Sequence, residues 1–175
     1  MSKLAVPVTA NDHTEGPATA PVTLVEYGDY QCPSRGDAFP LIKKLQKHFG
    51  EKLRFVFRNF PLEMHPYAEH AAETAEFAAA HDKFWEMHDL LFENQERMDD
   101  RLLVKLAGEL HLAPAKLKEA LEKQVFQARV RADFLGGVRS GVNGTPTFFI
   151  NDQRHTGPYD FDSLVAAIEH ASSAR

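Results

Sequence analysis

The spacing of apolar positions changes several times along the chain. Val22-Thr23-Leu24-Val25-Glu26-Tyr27 is mostly apolar and β-branched, the pattern of a buried strand, and Gly28-Asp29 ends it. From Pro33 to about His48 the apolar residues Ala38, Phe39, Leu41, Ile42 and Leu45 recur at intervals of three and four, and Phe49 follows. That spacing predicts a helix with Pro33 in its first turn, where a missing N–H is tolerated, and with a kink at Pro40. A second strand is predicted over residues 53–59, closed by Phe60-Pro61.

The middle of the chain has a helical period. Ala68, Ala71, Ala72, Ala75, Ala78 and Ala79 share one spacing, and Phe84, Trp85, His88, Leu91 and Phe92 fall on one side of the next segment. Leu102, Leu103, Leu106 and Leu110 mark a further helix, and Leu117, Leu121 and Val125 another. A longer one is predicted over residues 126–140, with Gly136-Gly137 weakening its end. Strand character returns at Thr147-Phe148-Phe149-Ile150, and Asn151-Asp152 reads as a two-residue turn into a short strand. An amphipathic helix over residues 161–170 closes the chain. Strand–helix–strand at one end and hairpin–helix at the other predict an α/β protein with one sheet, interrupted in sequence by helices. The expected division is an extended segment 1–19, a core of 20–62 and 139–175, and an inserted helical subdomain 63–138.

Composition narrows the functional classes. A net charge of -5, with Lys and Arg spread along the chain, gives no basic tract for nucleic acid. No apolar run reaches the ~20 residues of a bilayer span, and residues 1–20 lack the apolar stretch of a secretory leader. The expectation is a cytoplasmic protein with neither membrane nor nucleic acid as partner. A single cysteine, Cys32, rules out an internal disulfide.

Cys32 follows a predicted strand and opens a predicted helix. Unpaired N–H groups at such a helix start, with Arg35 three residues on, favour thiolate over thiol. The alternative is a small buried hydrophobe. The nine histidines show no ligand spacing, and no second thiol is present, so no metal site is expected. His88 reads as a hydrogen-bonded core residue, and Phe84, Trp85 and Phe92 as core aromatics. Gly-x-Ser-x-Gly and phosphate-binding glycine motifs are absent.

Tyr30-Gln31-Cys32-Pro33-Ser34-Arg35-Gly36 after a strand resembles the active-site turn of the thioredoxin superfamily, in its DsbA-like branch. His65-Pro66 with the Ala-rich run, and Lys83-Phe84-Trp85-Glu86-Met87-His88, resemble that branch's inserted helices. Gly141-Val142-Asn143-Gly144-Thr145-Pro146-Thr147-Phe148-Phe149-Ile150 resembles the loop before its third strand, and the likeness covers roughly residues 20–172. It implies a thioredoxin-like fold with a helical insertion between the second and third core strands. It also implies a cis bond at Thr145-Pro146, with Thr145 and Pro146 positioning an extended substrate. Glu26 would be an acidic group beneath the thiol, able to assist proton transfer; a charge at the sheet end reaching water is the competing reading.

The departure is Arg35, which stands where the Cys-Pro-x-Cys pattern has its second cysteine. Cys32 can attack a disulfide, but nothing in the chain can resolve the mixed disulfide. The expected function is therefore single-cysteine thiol–disulfide exchange on protein or small-molecule partners. Pro33 and Ser34 would shape the turn, and no resident cofactor is implied beyond glutathione or another small thiol as co-substrate. Arg35 is suited to hold the carboxylate of such a thiol, or is a solvated first-turn residue. A redox-inactive peptide- or protein-binding module and a peroxide-reactive single-cysteine enzyme are the two alternatives.

Overall fold

The computed structural model describes residues 2–32 and 37–174. They form two compact units: residues up to Gly28 with Asp37–Arg58 and Gly136 onward, and Asp29 to Cys32 with Asn59–Leu135. The predicted start of the first helix, and with it Pro33, Ser34 and Arg35, lies outside the described residues.

The first unit is a five-stranded sheet of β1 (His13–Glu15), β2 (Val22–Gly28), β3 (Leu53–Asn59), β4 (Thr147–Ile150) and β5 (Gln153–Arg154), in the order β1-β3-β2-β4-β5. Six of the seven residues of β2 are buried, as they are in β3, which explains their near-continuous apolar runs. β4 runs antiparallel to β2, with Glu26 opposite Phe148 and Tyr27 opposite Thr147. Asn151 and Asp152 both have positive φ, 45° and 73°, as a two-residue hairpin turn requires. Helix α1 (Ala38–Phe49) packs against the closing helix, residues 161–173, and buries Ala38, Leu41, Ile42 and Leu45. α1 is described from Ala38, so Pro40 falls in its first turn. The missing N–H has little cost there, which removes the reason for the predicted kink.

The N-terminal segment is more than a lead-in. Leu4 N–H donates to Asp152 O (2.9 Å), Arg154 N–H to Ser2 O (3.2 Å), and Ala5 N–H to Ser140 Oγ (2.9 Å). Arg58, 3% exposed, clasps the same segment. Its guanidinium donates to both Asp12 carboxylate oxygens (2.8 and 3.0 Å), to Val6 O (2.8 Å), to Pro7 O (3.2 Å) and to Tyr27 Oη (2.9 Å). Burial opposes its charge, but the bonds to Asp12 and Tyr27 outweigh that and hold the guanidinium above its ordinary pKa.

The second unit is helical: α2 (Ala68–Ala79), α3 (Phe84–Glu93), α4 (Asp100–Glu109), α5 (Pro114–Glu122) and most of α6 (Gln127–Arg139); α7 (Phe161–Ser173) belongs to the sheet unit. α2 touches α3, α4 and α5. Its alanines allow that close approach, and it buries nine consecutive-turn positions from Ala68 to Ala78, Glu73 and Glu76 among them. Asp99 caps α4 by accepting Leu102 N–H at 2.8 Å, and Pro114 begins α5 at a position where no N–H is needed. α5 buries Leu117 and Ala120, while Val125, expected on its apolar face, lies beyond its end and is 58% exposed. α6 runs on through Gly136-Gly137 to Arg139. A Cβ at Gly136 would lie 3.0 Å from Val6 Cγ2, so this glycine admits the N-terminal segment rather than ending the helix.

Candidate active site

In the sheet unit, β2 carries Glu26 and β4 follows the Thr145-Pro146 loop. The register of these two strands brings both to one end of the sheet. The Thr145-Pro146 peptide is cis. Thr145 is 8% exposed, and Thr147 Oγ1 donates to Gly144 O at 2.7 Å, closing the loop on itself. Glu26 is 4% exposed. The reading of Glu26 as a sheet-end charge reaching water is thus corrected, because its side chain is buried. A Cβ on Gly28 would lie 2.8 Å from Glu26 Oε2 and 2.6 Å from Phe57 Cε2, so glycine at 28 makes room for the buried carboxyl.

Burial pushes Glu26 from its ordinary 4.5 up to about 8. Its folded pKa lies above its unfolded one, so its contribution is fully present below pH 4.5 and is lost as pH rises through 8. Glu26→Gln needs no proton to stay buried. In urea titrations the variant is expected to match the native chain near pH 4 and to exceed it by about 4–5 kcal/mol at pH 8.5. Parallel stability curves for the two proteins across that range would refute the assignment.

In the helical unit, the chain leaving β2 makes a tight turn from Asp29 to Cys32. Cys32 N–H donates to Asp29 O at 3.3 Å, and Gln31 N–H donates to Asp29 Oδ1 at 2.7 Å. Asp29 Oδ2 accepts Leu62 N–H at 2.8 Å and lies 2.7 Å from His65 Nδ1. Gln31 Oε1 accepts Tyr67 N–H at 2.7 Å, and Gln95 Nε2 donates to Tyr30 O at 3.0 Å. The Tyr30 ring packs against His88 and Phe92, with centroids 5.8 and 4.8 Å away. Cys32 itself is 6% exposed. Every residue from Asp29 to Cys32 is therefore held by a named bond, and three of the four are tied to the segments around α2 and α3.

Sequence reasoning singled out Cys32 but not the groups that hold its turn. Asp29 read as the end of a strand and Gln31 as part of the Cys32 motif, Tyr67 and Gln95 drew no reading, and His65 stood out only in the His65-Pro66 likeness and among the nine histidines. A signal was present in Asp29 itself, since aspartate two residues before a backbone donor is a turn former. Its long-range partners had none. Four of the nine histidines engage Nδ1: His65 on Asp29, His70 on Asp100, His81 on Phe77 O and His88 on Asp89. Among the described residues no group of three or more His, Cys, Asp or Glu side chains is arranged to hold a metal. His88 is 3% exposed and sits among Tyr30, Phe84, Trp85 and Phe92.

The thioredoxin family pattern matches residues 8–170 of this chain. The chain belongs to the thioredoxin family. Among solved structures, oxidised BdbD from Bacillus subtilis is similar to this thioredoxin-family chain at 31% identity over 98% of each, with a TM-score of 0.86. Alpha-DsbA1 from Wolbachia pipientis superposes with a TM-score of 0.79 at 21% identity over 98% of this chain and 95% of its own, a likeness of fold. The fold is thus of the DsbA type, thioredoxin-like with a helical insertion. The Na(+)/H(+) antiporter NhaA 3 of Salinispora tropica is 43% identical over 98% of this chain, which corresponds to 27% of the antiporter. The chain spans about a quarter of the length of such curated relatives. No helix among the described residues is long and apolar enough to cross a membrane.

Proposed function

We propose that the chain is a single-cysteine thiol–disulfide oxidoreductase. The observation that carries this reading is the position of its one cysteine: Cys32 ends a turn bonded throughout, directly after the central strand β2 of a DsbA-type fold. The Cys32 thiolate attacks one sulfur of a disulfide R–S–S–R′, forming Cys32–S–S–R and releasing R′–S⁻, which takes up the proton that Cys32 gave up. An external thiol R″–SH then attacks the mixed disulfide. Cys32 is regenerated, and R–S–S–R″ leaves with the two electrons accounted for. Glu26, buried and protonated at neutral pH, is suited to exchange a proton during these steps. The backbone around Thr145 and Pro146 is suited to align an extended partner. Of the residues that follow Cys32 in sequence, Pro33, Ser34 and Arg35, the arginine is suited to hold the carboxylate of a small thiol such as glutathione.

The test uses glutathione disulfide and mass spectrometry. The native chain is expected to gain one glutathione on Cys32 and to lose it on addition of reduced glutathione, while Cys32→Ser gains none. A native chain that stays unmodified would reject exchange and favour a peptide-binding module. A sulfenic acid at Cys32 with dilute peroxide, formed without glutathionylation, would favour peroxide chemistry.

A further inference from the structure

Asp29 and His65 have no part in the steps above, yet with Leu62 and the Gln31–Tyr67 bond they tie the Cys32 turn to the chain ahead of α2. The Asp29 side chain is 0% exposed and the His65 side chain 16%. Both carboxylate oxygens of Asp29 accept: Oδ1 from Gln31 N–H inside the turn, Oδ2 from Leu62 N–H and from His65 Nδ1 outside it. A carboxylate can only accept, so at 2.7 Å Nδ1 of His65 is the donor and the imidazole is held in one orientation. The Asp29 carbonyl accepts Cys32 N–H. Asp29 therefore joins the nucleophile's own backbone to a second chain segment through a single side chain.

We propose that Asp29 and His65 are a positioning pair that sets the direction in which Cys32 meets a disulfide carried by a bound peptide. The proposal rests on the reading of Cys32 as the exchanging thiol. Thiolate attack on a disulfide depends on alignment, and a misplacement of about 1 Å can cost up to a hundredfold in rate. A disulfide held on a docked peptide cannot reorient to follow a turn that has shifted. A small, freely tumbling reagent can, so its rate is insensitive to the aim of the turn. Loss of His65 removes one of the two ties on Asp29 Oδ2, while the bonds from Leu62 N–H and Gln31 N–H to Asp29 and from Tyr67 N–H to Gln31 stay in place.

The experiment compares second-order rates of the full chain with a disulfide-bonded peptide and with iodoacetamide, for the native protein, His65→Ala, His65→Asn and His65→Gln. Asparagine places its N–H close to the position of Nδ1, whereas the glutamine amide lies nearer to that of Nε2. His65→Ala is expected to react about tenfold more slowly with the peptide disulfide and to keep its iodoacetamide rate within about threefold. His65→Asn is expected to recover the peptide rate, and His65→Gln not to. An unchanged peptide rate in His65→Ala, or peptide and iodoacetamide rates that move together, would overturn the positioning role while leaving exchange by Cys32 standing. A native chain inert to both reagents overturns both. Where His65→Ala does not fold, the asparagine–glutamine comparison decides, and equal peptide rates in those two variants count against the pair.

Discussion

Arg35→Cys is expected to give a chain that oxidises internally and reduces insulin disulfides on the order of a hundredfold faster than the native protein, since a neighbouring thiol resolves the mixed disulfide intramolecularly. The native sequence Cys32-Pro33-Ser34-Arg35 differs from the two-cysteine pattern at that position alone. The sheet unit holds a buried acid on β2 and the cis Thr145-Pro146 loop, and the helical unit holds the bonded turn from Asp29 to Cys32. Two measurements check it. Thiol titration after mild oxidation should fall from one reactive thiol to none, and insulin turbidity in the presence of dithiothreitol should appear earlier. A folded variant that gains neither would mean that more than the second cysteine is missing for exchange. The same substitution should lower the dependence on added glutathione, because the external resolving step is no longer required.

Arg58→Met should be the most damaging single change outside the active site, destabilising the chain by about 3–5 kcal/mol in urea unfolding. The guanidinium is a bidentate partner of Asp12, and the two side chains are only 4% and 9% exposed. Its removal takes the countercharge from a buried carboxylate and withdraws donors from Val6 O, Pro7 O and Tyr27 Oη. Arg58→Lys should recover less than half of the loss, because a point charge cannot reach this many acceptors at once. The double variant Arg58→Met with Asp12→Leu should be more stable than Arg58→Met alone, since it no longer buries the carboxylate. Equal stability of native and Arg58→Met proteins would show that the clasp contributes nothing.

The contrast between these two predictions follows what a single sequence reveals. Cys32, Arg35 and the Thr145-Pro146 loop were legible because they lie in short local motifs, and β2, β3 and β4 because nearly every residue in them is buried and apolar. The helices of the second unit were legible from their period, with ends misplaced by a few residues. β1 was not. His-Thr-Glu is polar, only partly buried, and owes its extended form to pairing with Phe55, Val56 and Phe57. Arg58 looked like one of many cations on a strand. Its five acceptors lie 31 to 52 residues away, so no local pattern announces them.

The Cys32 turn shows the same division at the candidate site. From local sequence alone came the strand before it, the lone thiol and the arginine in place of a second cysteine, because apolar spacing and chemical identity belong to the residues themselves. Tertiary structure alone decided that Asp29 would be buried, that Leu62 and His65 would reach its carboxylate, and that covering Glu26 would raise it to about 8. Burial, dielectric and long-range hydrogen bonds depend on which segments the fold brings together. That is why Cys32 and Glu26 could be singled out from the sequence, whereas the groups that hold the Cys32 turn and the raised pKa of Glu26 emerged only from the folded chain.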